Sequence, residues 1–234
     1  MKKQFWILIL FLFCVISLLA DVVNDKFHLV DFEVYYRTAV RMIEGGPIYR
    51  IDTDGHFVYK YAPTAALFFI PFTLISFEIS QWLFWFLLAL VLGKTLYLLY
   101  SLCQNNRHKK SINGVILAAL LTVGTHVHLE WHLGQVNSIL LLLYVLIIYA
   151  YHEDRPKTIA ALLSASLFVK PFALIFLPYL LFKKRFSALY FSFIYTLVFA
   201  FVPLFFYPSY AQFLDMYNAW FNELNIEMSA KQNL

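Results

Sequence analysis

The sequence predicts an all-α fold, a polytopic integral membrane helical bundle of about 7–8 hydrophobic helices with an amphipathic helix on its outer surface. Three observations predict it. Hydrophobic residues make up 62% of the 234 positions and charged residues only 14%, against about 25% charged in an average soluble domain. Mean hydropathy is +0.69. The apolar residues also come in runs without strand-like alternation, and a backbone in lipid must satisfy its own hydrogen bonds, which a helix does within one segment.

The first run, Phe5–Ala20, follows Lys2 and Lys3 and has the charged start and apolar core of a secretory leader. It is longer than a typical leader core, and Leu18-Leu19-Ala20 lacks the small-x-small pattern of a cleavage site, so residues 1–23 are read as a first transmembrane helix. Residues 24–60 form an outer loop. Within it Val34, Tyr35, Thr38, Met42 and Ile43 recur at helical spacing, Glu33, Arg37, Arg41 and Glu44 take the other side, and Gly45-Gly46-Pro47 stops the pattern. Such a helix lies on the membrane surface.

Residues 61–207 supply the helical bundle, with apolar runs at Tyr61–Ser76, Ile79–Leu102, Ile112–Val127, Ser138–Tyr151, Thr158–Val169, Phe172–Phe182 and Phe186–Tyr207. Several are shorter than the roughly 20 residues that span a bilayer, which points to tilted or broken helices around a cavity. Residues 208–234 form an outer polar tail. The whole reads as one membrane domain.

Lysine and arginine stay on the cytoplasmic side. Lys2-Lys3, Arg107 to Lys110, Arg155 to Lys157 and Lys183 to Arg185 are therefore inside. That puts the N-terminus in the cytoplasm of a cell-membrane protein, with the first loop, His126–Asn137, the Lys170-Pro171 break and the tail outside. Parity then leaves two alternatives: Tyr61–Ser76, interrupted by Pro63 and Pro71, is re-entrant, which is the reading preferred, or the Arg107–Lys110 loop is an exception to the charge rule. The net charge of +4 is spread over these clusters, so no nucleic-acid surface is expected. Cys14 and Cys103 lie in apolar runs, away from any metal-ligand spacing.

Four groups of residues stand out against this background. Asp31 opens the amphipathic helix, where free N–H groups favour a carboxylate as a cap; at the bilayer edge it could also take a proton from an attacking hydroxyl. Lys170, followed by Pro171 inside an apolar stretch, either snorkels to the interface or supplies a cation for a phosphate. "THVHLEWHLGQVN" carries His128, His132, Gln135 and Asn137. It is not His-Glu-x-x-His, so no metal is expected there, and hydrogen bonding to a sugar or headgroup is the functional reading beside ordinary helix-end polarity. Tyr35 and Tyr61 are candidate substrate contacts as well as members of an interfacial aromatic belt.

"DFEVYYRTAVRMIEGGPIYR", "FVYKYAPTAALFFIPFTLI", "HLGQVNSILLLLYVL" and "SASLFVKPFALIFLPYLLFKKRFSAL" follow one another in the chain. In that order they resemble the signatures of the family 87 glycosyltransferases, once a domain of unknown function and similar to the C superfamily of multi-spanning enzymes. The resemblance implies transfer of a hexosyl, mannosyl-like group from a polyprenyl-phosphate sugar to a lipid or glycan acceptor at the outer face. No cofactor is implied beyond that lipid-linked donor. Asp31 matches the family's proposed catalytic base, Gly134, Gln135 and Asn137 match a Gly-Gln-x-Asn motif, and Lys170-Pro171 matches a Lys-Pro motif. Family members are longer, so the resemblance also implies that this chain is the N-terminal half. Two other readings stand beside it: a lipid or small-molecule transporter or flippase, and an inactive membrane partner whose fold a second chain completes.

Overall fold

Helix forms within every apolar run of the chain, as its computed structural model shows for residues 3–50, 54–55, 57–104 and 109–232. In order these are α1 (Lys3–Val22), α2 (Val30–Ile43), α3 (Pro63–Ala66), α4 (Phe77–Gln104), α5 (Lys109–Leu133), α6 (Asn137–His152), α7 (Pro156–Val169), α8 (Phe176–Phe182), α9 (Phe186–Phe201) and α10 (Tyr210–Gln232). Short 3₁₀ segments follow α3 (Leu67–Leu74), precede α8 (Pro171–Ile175) and follow α9 (Val202–Phe206). No strand occurs among the described residues. Lys2, Arg107 and His108 of the basic clusters lie outside them.

The expected number of spans needs correction. Among the described residues two helical stretches, Phe77–Leu102 and Phe186–Phe206, are long and apolar enough to cross a membrane. A third counts only if Leu121–Leu133 and Asn137–His152, bent by 118° about their junction, are one broken span. Pro63–Leu74, Pro156–Val169 and Pro171–Phe182 are apolar but shorter. Proline is the physical reason for several of these breaks, because it removes a donor and clashes with the preceding turn. Pro63–Leu74, mostly 3₁₀ with Pro71 inside it, extends only about 18–24 Å, short of a roughly 30 Å hydrocarbon core. Lys170, extended at φ −146° before Pro171, separates α7 from the next helical segment, as the pre-proline restriction requires. The apolar helices make this a membrane protein: on Phe186–Phe206, Phe193, Leu197, Val198, Phe201 and Phe205 are exposed, a surface suited to lipid and not to water.

Five helices share one ending. After α1, α2, α5, α6 and α8 a residue at positive φ (Asp25, Gly45, Gly134, Asp154 and Lys184) turns the chain. The next N–H then reaches back five residues, as in Lys26 to the Asp21 carbonyl at 2.9 Å and Gln135 to the Glu130 carbonyl at 2.8 Å. This double-bonded cap satisfies the last carbonyls of each helix.

One further difference from the sequence reading concerns α2. Phe32, Tyr35, Thr38, Ala39 and Met42 form its buried stripe, while Ile43, placed on that face by spacing, is 46% exposed where the helix ends. Within the polar tail, Tyr210–Gln232 form a helix, α10. Its Glu223, 2% exposed, pairs with Arg50, and its Trp220 Nε1–H donates to the Lys60 carbonyl at 3.3 Å.

The chain divides into two compact units. Unit 1 comprises Met1–Phe32 and Gln81–Tyr149. Its core is aromatic: Trp131 meets Phe13 and Trp85 edge-on at 5.5 and 5.4 Å, and Phe32 stacks on Phe84 at 4.3 Å. The Trp131 indole N–H, which burial would otherwise leave unsatisfied, donates to Ser138 Oγ at 3.3 Å.

Unit 2 comprises Glu33–Ser80 and Ala150–Leu234. Here α7 and α9 meet through small residues, with Ala160, Ser164, Ala188 and Ser192 all buried. Ser164 Oγ donates to the Ser192 carbonyl at 3.0 Å and accepts from Thr196 Oγ1 at 3.0 Å. Small residues let apolar helices approach without a hydrophobic driving force between them. Ser164→Leu is therefore expected to cost about 1–3 kcal/mol by overpacking, and Ser164→Ala only about 0.6 kcal/mol, the usual worth of such a bond in lipid. Unfolding midpoints of both variants in one detergent check the order; equal midpoints would contradict close α7–α9 packing.

Candidate functional site

In unit 1 the site residues gather around the turn between α5 and α6. Gly134 caps α5 at φ 73°, with its N–H on the Trp131 carbonyl at 3.1 Å. A Cβ built there would lie 2.8 Å from Leu29 Cβ, 2.9 Å from Phe32 Cβ and 3.3 Å from the Phe32 nitrogen. Only glycine fits both the turn and the space. The start of α2 thus rests on this turn, and Asp31, half-buried and the second residue of α2, precedes the residue in contact. Asp31 lies inside the first turn of α2 and not at the cap position, but a carboxylate is favoured there by the same unpaired N–H groups.

The Gln-x-Asn part of the motif is tied to a buried acid. Asn137 Nδ2 donates to Glu130 Oε1 at 2.6 Å and to Gln135 Oε1 at 2.8 Å. Glu130, 9% exposed, also lies 3.3 Å from His126 Nε2. These bonds hold the bend between α5 and α6 and fix Gln135 and Asn137 beside it.

His128 and His132, four residues apart on α5, face one side of the helix and meet a residue that sequence reasoning passed over. Asp21, on the last turn of α1, accepts from His132 Nδ1 at 3.0 Å and lies 4.0 Å from His128 Nε2. Ser17, one turn earlier, places Oγ 2.7 Å from His128 Nδ1. Two i,i+4 pairs of polar residues, Ser17/Asp21 and His128/His132, were the available signal.

Tyr35, Tyr61 and Lys170 come together in unit 2. The hydroxyls of Tyr35 and Tyr61 are 3.0 Å apart, and Lys170 Nζ lies 5.9 Å from the Tyr61 ring centroid, within cation–π range. The Ala62 N–H donates to the Phe168 carbonyl at 3.0 Å, which draws the segment after Tyr61 to the end of α7. Around Tyr61 stand Tyr49, whose hydroxyl donates to the Tyr61 carbonyl at 2.6 Å, and Tyr59, whose ring meets Tyr61 edge-on at 5.8 Å. A cation beside an aromatic wall with phenol hydroxyls can hold a phosphate and stack on a sugar ring.

Burial pushes the Tyr49 and Tyr59 phenols well above their ordinary range and that of Tyr207, 9% exposed, up to about 12. An unfolded tyrosine ionises near pH 10. Between those values the unfolded chain gives up a proton that folded Tyr207 keeps, so stability present below about pH 10 is lost as pH rises toward 12. Tyrosinate absorbance of the folded protein should accordingly fall short of all 16 tyrosines until unfolding, and full reversible ionisation near pH 10 would contradict it.

A family model described as glycosyltransferase family 87 matches residues 59–233, most of the chain. It covers Tyr61, His128, His132, Gln135, Asn137 and Lys170; Asp31 and Tyr35 precede the matched stretch. No curated protein and no solved structure matches.

Proposed function

The chain belongs to glycosyltransferase family 87, as a membrane glycosyltransferase, and from that premise we propose that it moves a hexosyl group, mannose-like, from a polyprenyl-phosphate carrier to a lipid or glycan hydroxyl at the outer face of the cell membrane. The family match is the observation that carries this reading. A lipid-linked donor is supported by apolar helices with no glycine-rich phosphate loop between them. The distribution of lysine and arginine supports the outer face.

The roles follow from chemistry. Asp31 acts as general base on the acceptor hydroxyl, whose oxygen attacks the anomeric carbon. The bond from that carbon to the phosphate oxygen breaks, polyprenyl phosphate leaves, and a single displacement inverts the anomeric centre. Lys170 offsets the charge on the phosphate, with Tyr61 and Tyr35 beside it. Asn137, held on Glu130, and Gln135, which accepts from Asn137, bind substrate hydroxyls, as do His128 and His132.

The test is transfer by the full chain in proteoliposomes given radiolabelled polyprenyl-phosphate mannose, glucose or galactose, with the matching nucleotide sugar as comparison. Label in a new glycosidic product from a lipid-linked donor alone is expected. Label that crosses the bilayer without a new glycosidic bond would replace this reading with transport, and no product from any donor would remove it.

A further inference from the structure

Asp21 is 4% exposed, yet only one of its carboxylate oxygens is occupied: Oδ1 faces the two histidines, and Oδ2 has no hydrogen-bond partner. A buried carboxylate oxygen without a donor is costly, so this position favours a ligand that supplies one. A cavity of about 300 Å³ opens beside it, lined by Asp21, Asn24, Lys26, His128, Leu129 and His132 among others. That volume is at the lower end of small-molecule sites, enough for one compact polar unit.

The lining decides which unit. A phosphate or carboxylate ligand would meet the Asp21 charge in a site of low dielectric. An ammonium ligand would meet Lys26. A neutral polyol fits both, donating a hydroxyl to the Asp21 carboxylate and accepting from Lys26 and an imidazole N–H. Leu129 and Ala20 offer an apolar wall to its C–H face. Among the described residues no group of histidine and acidic side chains is arranged to hold a metal ion.

We propose that this cavity is a subsite for a neutral hexose unit, and that it receives the acceptor glycan and not the phosphate-bearing donor, because the carboxylate repels the donor's phosphate. The choice of a sugar rests on the glycosyltransferase reading above; the site itself uses neither Asp31 nor Lys170. Asp21 has the leading role, through a charge-assisted bond to a sugar hydroxyl. Asn24, exposed, with its amide on the Ala20 carbonyl at 2.6 Å, stands at the rim.

Photolabelling of the full chain in nanodiscs tests this, using an alkyl hexoside with a diazirine on the carbon next to the sugar. Label is expected in the peptides around residues 20–26 and 126–133. Loss of a charge-assisted bond predicts a fall of at least about tenfold in Asp21→Asn. Competition by methyl hexoside would mark a soluble sugar, and competition by alkyl hexoside alone a lipid-borne one; either supports the subsite. Full labelling of Asp21→Asn, or equal labelling by the probe without its sugar, would overturn it. Asn24→Phe fills the cavity from its rim and keeps the buried carboxylate, so undiminished labelling of that variant overturns the proposal even if Asp21→Asn does not fold. Labelling needs no turnover: a chain that labels here but transfers nothing loses the enzyme reading, and one that transfers but does not label here loses only the subsite.

Discussion

Gly134→Ala is expected to be among the most destabilising single-atom additions in this chain, ahead of Gly45→Ala and well ahead of Gly55→Ala. All three glycines have positive φ, at 73°, 69° and 58°, and a side chain there costs roughly 1–2 kcal/mol. Space separates them. At Gly55 the new methyl meets nothing within 4 Å, and at Gly45 its nearest neighbour is the Phe206 carbonyl oxygen at 3.2 Å. At Gly134 it meets two Cβ atoms below 3.0 Å, and a Cβ cannot swing aside as a side-chain tip can. The start of α2 would have to move, adding about 1–3 kcal/mol. Unfolding midpoints of the three variants under one condition check the order, and a Gly134→Ala midpoint equal to that of Gly55→Ala would contradict the contact. Activity should fall further than stability, because the displaced residue Phe32 is bonded to Asp31, the proposed base, and a shift of about 1 Å at a reacting group can cost about 10²-fold.

This contact also shows what a linear reading can and cannot reach. Gly134 was legible as a helix stop, and the Lys170-Pro171 break was legible because a proline dictates the conformation before it. That Gly134 receives the start of α2 was not legible, since nothing local in "HLGQVN" refers to Leu29 or Phe32. Asp21 was hidden for the same reason: its partner His132 is 111 residues downstream. The apolar runs reveal where helix forms, because lipid forces the backbone to satisfy itself. They do not fix how far each helix continues, as Pro63–Leu74 illustrates. Nor did spacing alone show that Asn137 bonds to both Gln135 and Glu130, the latter a residue legible only as part of a polar patch.

Asp31→Asn should lower hexosyl transfer by about 10²–10⁴-fold, the usual worth of a positioned general base, while the protein stays folded. The amide matches the carboxylate in size, so packing beside Leu29 and Phe32, both fully buried, is kept. What disappears is the ability to accept a proton. The charge near the N-terminus of α2 is lost as well, which costs about 0.3–1 kcal/mol of helix stability. That small cost separates two roles for the residue. If Asp31 only secures the helix, transfer will follow the folded fraction and kcat per folded molecule will be unchanged. If it is the base, kcat falls at constant folded fraction, and KM for the polyprenyl-phosphate donor stays near its original value because the donor's phosphate lies with Lys170 in the proposed mechanism. Asp31→Glu sharpens the distinction: it keeps the charge and the helix preference but carries the carboxylate one methylene further, so a base loses alignment and about 10²-fold in rate, whereas a helix anchor loses almost nothing.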